Sequence, residues 1–400
     1  MQSAITASRP RIGLLSTFPP RLCGLATFAA ALVTELRGSK CRVDVVNIDD
    51  GEEPVELGPV VAGTLVNGMS TSVRNAARVL SRCDVAIIQH EYGIYGGVDG
   101  DEVVDLLAQL DVPAIVILHT VPAVPTPHQK VVLEAVCRAA DRVVVMTEAA
   151  RDQLTTVYSI GDTIVLTIPH GATAPATSPR DGISNSSIGR PQLLTWGLLG
   201  PGKGIEHVID ALGLLGDART RPKYTVAGVT HPKVFARDGD AYRQSLMRRS
   251  WATGVVGSIS FDDTYRDVAE LARFAASASV VVLPYDSRVQ VTSGVLVDAI
   301  AAGRPVIATA FPHAVEILAS GAGIVVPHAD PLSLARAIES TIADPSALES
   351  MAAEARRIAP SLHWRAVAGR YVELCDELVM ADEAVAIRAP PRRCRSTTSL

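Results

Sequence analysis

The 400-residue sequence is poor in aromatic residues and has no long hydrophobic run. Aromatic residues make up 4% of it, whereas 48% of the residues are hydrophobic and 20% are charged. No stretch reaches the length of about 18 apolar residues that a transmembrane helix needs, and residues 1–10 lack the basic start and apolar stretch of a signal peptide. We therefore expect a cytoplasmic globular protein; the composition excludes a collagen, a coiled coil and a chain disordered throughout.

Paired cysteines and a large excess of charge are also missing. The six cysteines are scattered, without a C-x-x-C pair or a histidine spacing typical of zinc, which predicts reduced thiols. The 37 basic and 42 acidic residues give a formal net charge of -5, which does not favour nucleic acid or an anionic membrane as the main partner. We expect a small-molecule partner and neither a metal nor a cofactor.

Short runs rich in valine and isoleucine alternate with stretches of helical periodicity. This alternation is typical of βαβ units and of parallel sheets that are buried on both faces. In the first half the runs are 11–16, 43–48, 85–89, 114–119, 142–146 and 164–168. In the second half they are 193–196, 223–227, 259–261, 280–283, 305–309 and 323–326.

A segment without hydrophobic periodicity, residues 172–190, separates the two halves and predicts a linker. A single core rarely exceeds roughly 250 to 300 residues, so the length also predicts more than one domain. We expect an α/β fold of two Rossmann-like domains, 1–171 and 191–361, whose doubly wound parallel sheets face a cleft. A helix over 362–384 is expected to pack back on the first domain, followed by a disordered tail.

That tail, residues 385–400, contains four arginines and two prolines. Its composition predicts disorder and leaves open a weak peripheral contact with the inner face of a membrane, although such a terminus is more often only solvated. The oligomeric state stays open.

Glycine-rich or polar motifs follow the predicted strands of the first half. Gly24 opens a helix after STFPPRLC, where free N–H groups could bind a phosphate or the glycine could simply be the N-cap of the helix. In QHEYGIYGGVDGDE, Glu91 and Tyr92 could bind a sugar, or the segment could be only a mobile loop. His119 ends the next strand, where it could act near a reacting centre or bond a turn. His170, before the linker, favours a hinge or cap role.

Two D-x-D patterns, at 99–101 and 238–240, could hold a divalent metal. Carboxylates at such positions more often cap helices, so this interpretation is the weaker one.

The second half opens with LLTWGLLGPGKG, in which Lys203 stands at the junction of a turn and a helix. A lysine there opposes the helix dipole unless an anion binds, which favours a functional role. The later block VLPYDSRVQVTSG places Thr292, Ser293 and Gly294 at a helix start, with Asp298 one turn further on. The alternative is a serine or threonine cap on an ordinary amphipathic helix.

Together these motifs resemble the retaining glycosyltransferases of the large group-four family, the glycosyl transferases group 1, which have the GT-B architecture. The resemblance covers residues 11–384 and rests on the PPR-CG-ATF, QHE-Y-GIYGG, GLLGPGKG and TSG-L strings. It implies transfer of a sugar from a nucleotide diphosphate donor, a GDP- or UDP-sugar, to a hydroxyl of a carbohydrate, lipid-linked or small-molecule acceptor, with retention and without a metal. The first domain would then bind the acceptor and the second the donor.

The resemblance also implies individual roles. Gly24 would contact the diphosphate from the first domain, His119 would lie beside the donor sugar, and Lys203 would neutralise the leaving phosphates. The amides of residues 292–294 would cradle the phosphates. The full set of candidate site residues is His119, Lys203 and Gln290 for catalysis, Gly24, Thr292, Ser293, Gly294 and Asp298 for the donor, and Glu91 and Tyr92 for the acceptor.

The sequence departs from the family pattern at three positions. Leu198 stands where the family usually has the arginine that pairs with the diphosphate. Gln290 and Asp298 stand where it has two glutamates, the first contacting the donor sugar and the second the ribose. A glutamine can still bond a hydroxyl but adds no negative charge.

Two other functions stay open on the sequence alone. The same fold also serves sugar phosphorylases and nucleotide-sugar epimerases, because fold does not fix function. Leu198 and Gln290 also fit a protein that binds sugar nucleotides without catalysis.

Overall fold

The computed structural model describes residues 9–21, 23–49, 58–175, 190–216, 219, 221–264 and 266–388. Most of the predicted linker, residues 176–189, and most of the predicted tail, residues 389–400, lie outside the described residues.

The first sheet has seven parallel strands in the order β3-β2-β1-β4-β5-β6-β7. In chain order they are β1 (Arg11–Ser16), β2 (Arg42–Asp49), β3 (Val61–Val66), β4 (Val85–His90), β5 (Ala114–Leu118), β6 (Arg142–Val145) and β7 (Val165–Thr167). The winding direction reverses between β1 and β4, which are hydrogen-bonded neighbours.

The second sheet has six parallel strands in the order β10-β9-β8-β11-β12-β13. They are β8 (Gln192–Trp196), β9 (Lys223–Ala227), β10 (Ile259–Asp262), β11 (Val280–Leu283), β12 (Val306–Thr309) and β13 (Gly323–Val326). Here the winding reverses between β8 and β11. The two doubly wound parallel sheets confirm the predicted α/β fold class.

Fourteen α-helices are described. They are α1 (Gly24–Gly38), α2 (Ser70–Leu80), α3 (Glu102–Leu107), α4 (Pro127–Ala139), α5 (Glu148–Val157), α6 (Ile205–Leu214), α7 (Pro232–Asp238), α8 (Ala241–Ala252), α9 (Val268–Ala276), α10 (Gly294–Ala301), α11 (Pro312–Leu318), α12 (Pro331–Ala343), α13 (Pro345–Leu362) and α14 (Trp364–Arg388). Residues with known preferences for helix starts begin several of these helices. Thr126 and Gln129 form a capping box on α4, and five helices begin with proline. No helix in this part of the chain is long and apolar enough to cross a membrane.

Each sheet is buried on both faces because successive strand residues point to opposite sides. In β1, Ile12 and Leu14 pack with α1 and α14, whereas Leu15 packs in the core on the other face. The second sheet has the same arrangement, with α10 and α11 on one face and α6 and α12 on the other.

The chain passes between the two domains at two adjacent points. The N–H of Ala172 donates to the carbonyl of Leu362 at 2.8 Å, and the N–H of Trp364 donates to the carbonyl of Ala172 at 3.0 Å. After this crossing α14 packs on α1, and Trp364 lies 4.8 Å from the ring of Phe28, centroid to centroid. A methyl group at Gly171 would lie 2.3 Å from the Trp364 ring, so the crossing requires a glycine there.

Candidate active site

The candidate residues collect where the winding of each sheet reverses. Gly24 follows β1 and Glu91 follows β4, on either side of the first switch point. Lys203 follows β8 and Gly294 follows β11, on either side of the second. Ligands of doubly wound sheets bind outside the carboxyl ends of the strands at such points.

The loop after β8 packs directly on the loop after β11. Gly204 has a φ of +64°, and a methyl group there would lie 1.8 Å from the carbonyl oxygen of Pro284. The N–H of Asp286 donates to the carbonyl of Gly202 at 3.0 Å. Only a glycine at 204 allows this approach, which brings Lys203 to the ring of Tyr285.

Lys203 lies on an aromatic face. Its Nζ is 4.6 Å from the ring centroid of Tyr285, within the range of a cation–π interaction. Burial lowers the pKa of Lys203, and no carboxylate among the described residues forms an ion pair with it. The site therefore contains a partly desolvated cation that no carboxylate within the described ranges neutralises.

Tyr285 was not singled out by the sequence analysis, although it belongs to the VLPY string. It is 2% exposed and stacks on Phe311 at 5.4 Å between centroids. Its carbonyl accepts a hydrogen bond from Thr309 Oγ1 at 2.6 Å and contacts His328 Nδ1 at 2.8 Å. The position of Tyr285 below Lys203 is thus fixed by the stacking of its ring and by the contacts of its carbonyl oxygen.

The start of α10 differs from the prediction in one respect. Ser293 caps the helix, its Oγ accepting from the N–H of Leu296 at 3.3 Å. Its own N–H, predicted to cradle phosphate, donates instead to Nδ1 of His313 at 2.9 Å. The Gln290 side chain donates to the carbonyl of Thr292 at 2.9 Å. Of the predicted phosphate-binding amides, that of Ser293 is therefore already bonded within the protein.

Asp298 lies one turn into α10, close enough to Tyr285 for its charge to raise the pKa of that phenol. Burial raises the pKa of Asp298 to about 7. Its carboxyl group is therefore partly protonated near neutral pH, and it can both donate and accept hydrogen bonds.

Two histidines of the first domain flank Phe28, and one of them touches the second domain. His119 and His170 both pack edge-on against Phe28, with centroid distances of 4.9 Å and 5.1 Å. His170 also lies against α10, since a methyl group at Gly294 would be 3.2 Å from its Nε2. Burial, reinforced by neighbouring histidines, lowers the pKa of His119 to about 3, and burial lowers that of His170 to about 4. Both rings are neutral, and Nε2 of His119 is buried without a hydrogen-bond partner in the part of the chain that the structure describes.

Gly24 is exposed at the first turn of α1, and a methyl group there would meet nothing within 4 Å. Cys23 caps the helix, its Sγ accepting from the N–H of Ala26 at 3.4 Å. The glycine thus borders open space, into which a ligand could approach the backbone.

Glu91 and Tyr92 are tied into their own loop. Glu91 accepts from Thr120 Oγ1 at 2.5 Å and from the N–H of Tyr92 at 3.1 Å, and burial raises its pKa. The Tyr92 hydroxyl donates to the carbonyl of Gln129 at 3.3 Å. In this arrangement their polar atoms hold the loop at the first switch point.

Both D-x-D patterns have other partners. Asp99 contacts His128 at 3.0 Å, and Asp238 pairs with Arg237 at 2.6 Å. Within the described ranges, one group could offer a metal three ligand atoms, all within 4.8 Å of one another: Glu206, His207 and Asp286. His207 is 3.1 Å from Asp286, and Glu206 accepts from the Tyr242 hydroxyl at 2.9 Å.

Comparison with known proteins shows what this chain is similar to. Residues 190–344 match the family model described as glycosyl transferases group 1. This matched stretch contains all six strands of the second sheet. A D-inositol 3-phosphate glycosyltransferase of Kineococcus radiotolerans is 29% identical to this glycosyl transferase over 317 residues, 70% of each chain. A protein of the same name from Streptomyces bingchenggensis is 28% identical over 273 residues, 63% of this chain and 59% of that relative.

Solved structures share the fold of this glycosyltransferase. Sucrose-phosphate synthase from Thermosynechococcus elongatus superposes with a TM-score of 0.71 at 20% identity, covering 93% of this chain and 100% of that one. Anabaena HepE, solved in complex with UDP, has a TM-score of 0.72 at 17% identity, covering 92% and 100%. These likenesses confirm the predicted GT-B architecture, and the family match confirms an enzyme of the hexosyltransferase class.

Proposed function

We propose that this glycosyltransferase moves a sugar from a nucleotide diphosphate to a hydroxyl acceptor with retention of the anomeric configuration. The observation that carries the proposal is Lys203, which precedes α6, lies on the ring of Tyr285 and has no carboxylate ion-pair partner among the described residues. Helix starts and an uncompensated cation favour an anion with more than one charge, and a diphosphate has that chemistry.

The domains divide the work in this proposal. The second domain, 191–361, binds the donor through Lys203, the hydroxyls of Thr292 and Ser293, and the amide of Gly294, with Asp298 bonding the ribose. The first domain, 1–171, binds the acceptor and reaches the donor with Gly24 and His119. Glu91 and Tyr92 shape the acceptor side of the first domain, with 172–190 as linker and 362–384 as the returning helix.

The proposed chemistry takes place on one face of the sugar. The bond between the anomeric carbon and the phosphate oxygen breaks, the acceptor oxygen bonds to the same carbon, and the acceptor proton passes to the leaving phosphate. Lys203 stabilises the negative charge that grows on that phosphate, an effect that is strongest in a desolvated site. The neutral His119 and Gln290 can bond sugar hydroxyls without adding charge.

UDP is the nucleotide that the comparisons favour. HepE was solved with UDP, with UDP and glucose, and with UDP-glucose. The curated relatives are named as glycosyltransferases of D-inositol 3-phosphate, so the acceptors to test first are inositol phosphates and simple polyols.

Thermal unfolding with UDP, GDP, ADP and their sugar conjugates tests the donor site. A ligand at 100 times its dissociation constant adds about 2.7 kcal/mol to stability. We expect UDP and UDP-glucose to raise the midpoint, Lys203→Ala to abolish that rise, and the exposed Lys233→Ala to leave it unchanged.

Turnover then separates this function from its alternatives. Acceptor-dependent release of UDP with a retained product supports the proposal. Binding without turnover on a broad acceptor panel would indicate a binding protein, and conversion of the donor without an acceptor would indicate an epimerase. If no nucleoside diphosphate shifted the midpoint, the proposed donor site would be wrong.

A further inference from the structure

Three hydrogen bonds join the start of α5, in the first domain, to the second domain. Thr147 Oγ1 donates to the carbonyl of Val291 at 2.9 Å. The two carboxylate oxygens of Glu316, on α11, accept from the N–H groups of Glu148 at 3.0 Å and Ala149 at 3.1 Å. We call Thr147 and Glu316 the interdomain clasp.

The clasp uses groups that a helix start leaves free. The first N–H groups of α5 have no partner within the helix, and the positive end of the helix dipole favours a carboxylate. Glu316 supplies that carboxylate from the other domain. Thr147 is fully buried, and its oxygen also accepts from the N–H of Ala150 at 3.1 Å as the cap of α5.

The clasp reaches the loop that leads into α10, residues 284–293, here called the α10 loop. The Val291 side chain is 5% exposed and packs in a hydrophobic core of the first domain, although it belongs to the second. Two residues later, the N–H of Ser293 donates to His313, which lies on the same helix as Glu316. The α10 loop is therefore held at Val291 by the first domain and at Ser293 by α11.

We infer that Thr147 and Glu316 are positioning residues for the transfer reaction. They touch neither reacting group but fix the α10 loop, which carries Gln290 and Thr292, when the domains are docked as described. If the domains separated, Val291 would lose its hydrogen-bond donor and its apolar surroundings together. The donor contacts of this loop are thus complete only in the docked arrangement. The catalytic meaning of this inference rests on the proposed function; the mechanical part does not.

Hydrogen exchange tests the mechanical part without turnover. In Thr147→Val, which keeps the shape and removes the hydroxyl, we expect amides of residues 291–293 to exchange about fivefold faster, the effect of losing one ordinary hydrogen bond. Thr147→Ser should restore slow exchange. Thr126→Val is the matched control, because Thr126 lies in the same domain and its oxygen caps α4 by accepting from the N–H of Gln129. Glu316→Ala should speed exchange at Glu148 and Ala149, and Glu316→Gln less so.

Kinetics test the catalytic part. We expect Thr147→Val and Glu316→Ala to lower kcat about fivefold, with Thr147→Ser and Thr126→Val close to wild type. Unchanged exchange at 291–293 in Thr147→Val would overturn the inference, whether or not the chain transfers sugars. Faster exchange with unchanged kcat would overturn the positioning role. If the wild-type chain showed no turnover, the proposed function would fail, and exchange would still decide whether the clasp holds the loop.

Discussion

Asp298 illustrates how burial alone changes what a residue can do. Its carboxyl group lies on α10 beside Tyr285, and Lys203 lies over the ring of that tyrosine. The pKa of Asp298 is raised to about 7 from an ordinary value of 3.8. Between these two values the folded protein keeps a proton that the unfolded chain has released. The unfolding free energy contributed by Asp298 therefore falls as pH rises from about 4 to about 7, and is constant above that.

Asp298→Asn should remove this pH dependence, because the amide cannot ionise. We expect the stability of the wild type relative to the variant to decrease with rising pH, by at most about 1.4 kcal/mol per pH unit, between pH 5 and 7. Urea unfolding of both proteins at pH 5, 6, 7 and 8 measures the difference. If the difference in unfolding free energy between the two proteins stayed constant from pH 5 to pH 7, Asp298 would ionise with an ordinary pKa.

Site residues could be predicted from the sequence only where their place depends on the order of strands and helices along the chain. Lys203 lies in the loop between β8 and α6, and Gly294 begins the helix after β11, so their place near a switch point could be predicted from the βαβ pattern. The bond between Ser293 and His313 could not be foreseen, because it joins residues that lie twenty positions apart and meet only after β12 is in place. Tyr285 was missed because aromatic residues in such a string usually belong to the core.

At the level of elements, the loops after β8 and β11 act as one unit. Their contact depends on the absence of a side chain at Gly204, where φ is +64° and the carbonyl of Pro284 fills the space. Any displacement of this contact moves Lys203 relative to Tyr285. The position of the Lys203 ammonium on the Tyr285 ring therefore depends on the glycine at 204.

Gly204→Ala should accordingly lower both stability and affinity for UDP. A left-handed backbone costs a non-glycine residue about 1 to 2 kcal/mol, and here the clash with Pro284 adds to it. Gly202→Ala is the control, because Gly202 also has a positive φ, +88°, but open space around it. Calorimetric titration with UDP and thermal unfolding should show a larger loss for position 204. Equal losses would mean that backbone strain, not the contact between loops, decides the effect.

The strands show where sequence patterns succeed and where they end. Each of the six predicted runs in each half overlaps one strand of the structure, because short runs rich in valine and isoleucine are typical of buried parallel strands. β3 was not predicted, and its side chains are mostly only partly buried at the sheet edge. Edge strands have weaker patterns because only one neighbour and less burial constrain them.

For the whole molecule, α14 decides how the first domain is completed. Its apolar residues belong to the core that also contains β1, β4 and α1, and Trp364 contacts Phe28 and His170 there. The last helix in sequence thus covers a face of the first sheet.

Trp364→Ala should lower the unfolding free energy by about 3 to 5 kcal/mol, because the removed ring leaves a cavity in that core. Trp251→Ala offers a matched control on α8, where the indole is 72% exposed, and should change stability by no more than about 0.5 kcal/mol. Thermal unfolding of both variants measures the difference. If both variants unfolded at similar midpoint temperatures, α14 would contribute little to the stability of the first domain.

The adjacent crossings at Ala172 and Trp364 have a consequence for how the polypeptide is assembled. The second domain leaves and returns to the first at points joined by backbone hydrogen bonds of 2.8 Å and 3.0 Å. The second domain is therefore inserted into the chain of the first domain, and the two ends of the insertion are adjacent. A covalent joint between residues 172 and 363 would excise it without stretching the remaining chain, and would leave all seven strands and the returning helix of its host in one continuous polypeptide.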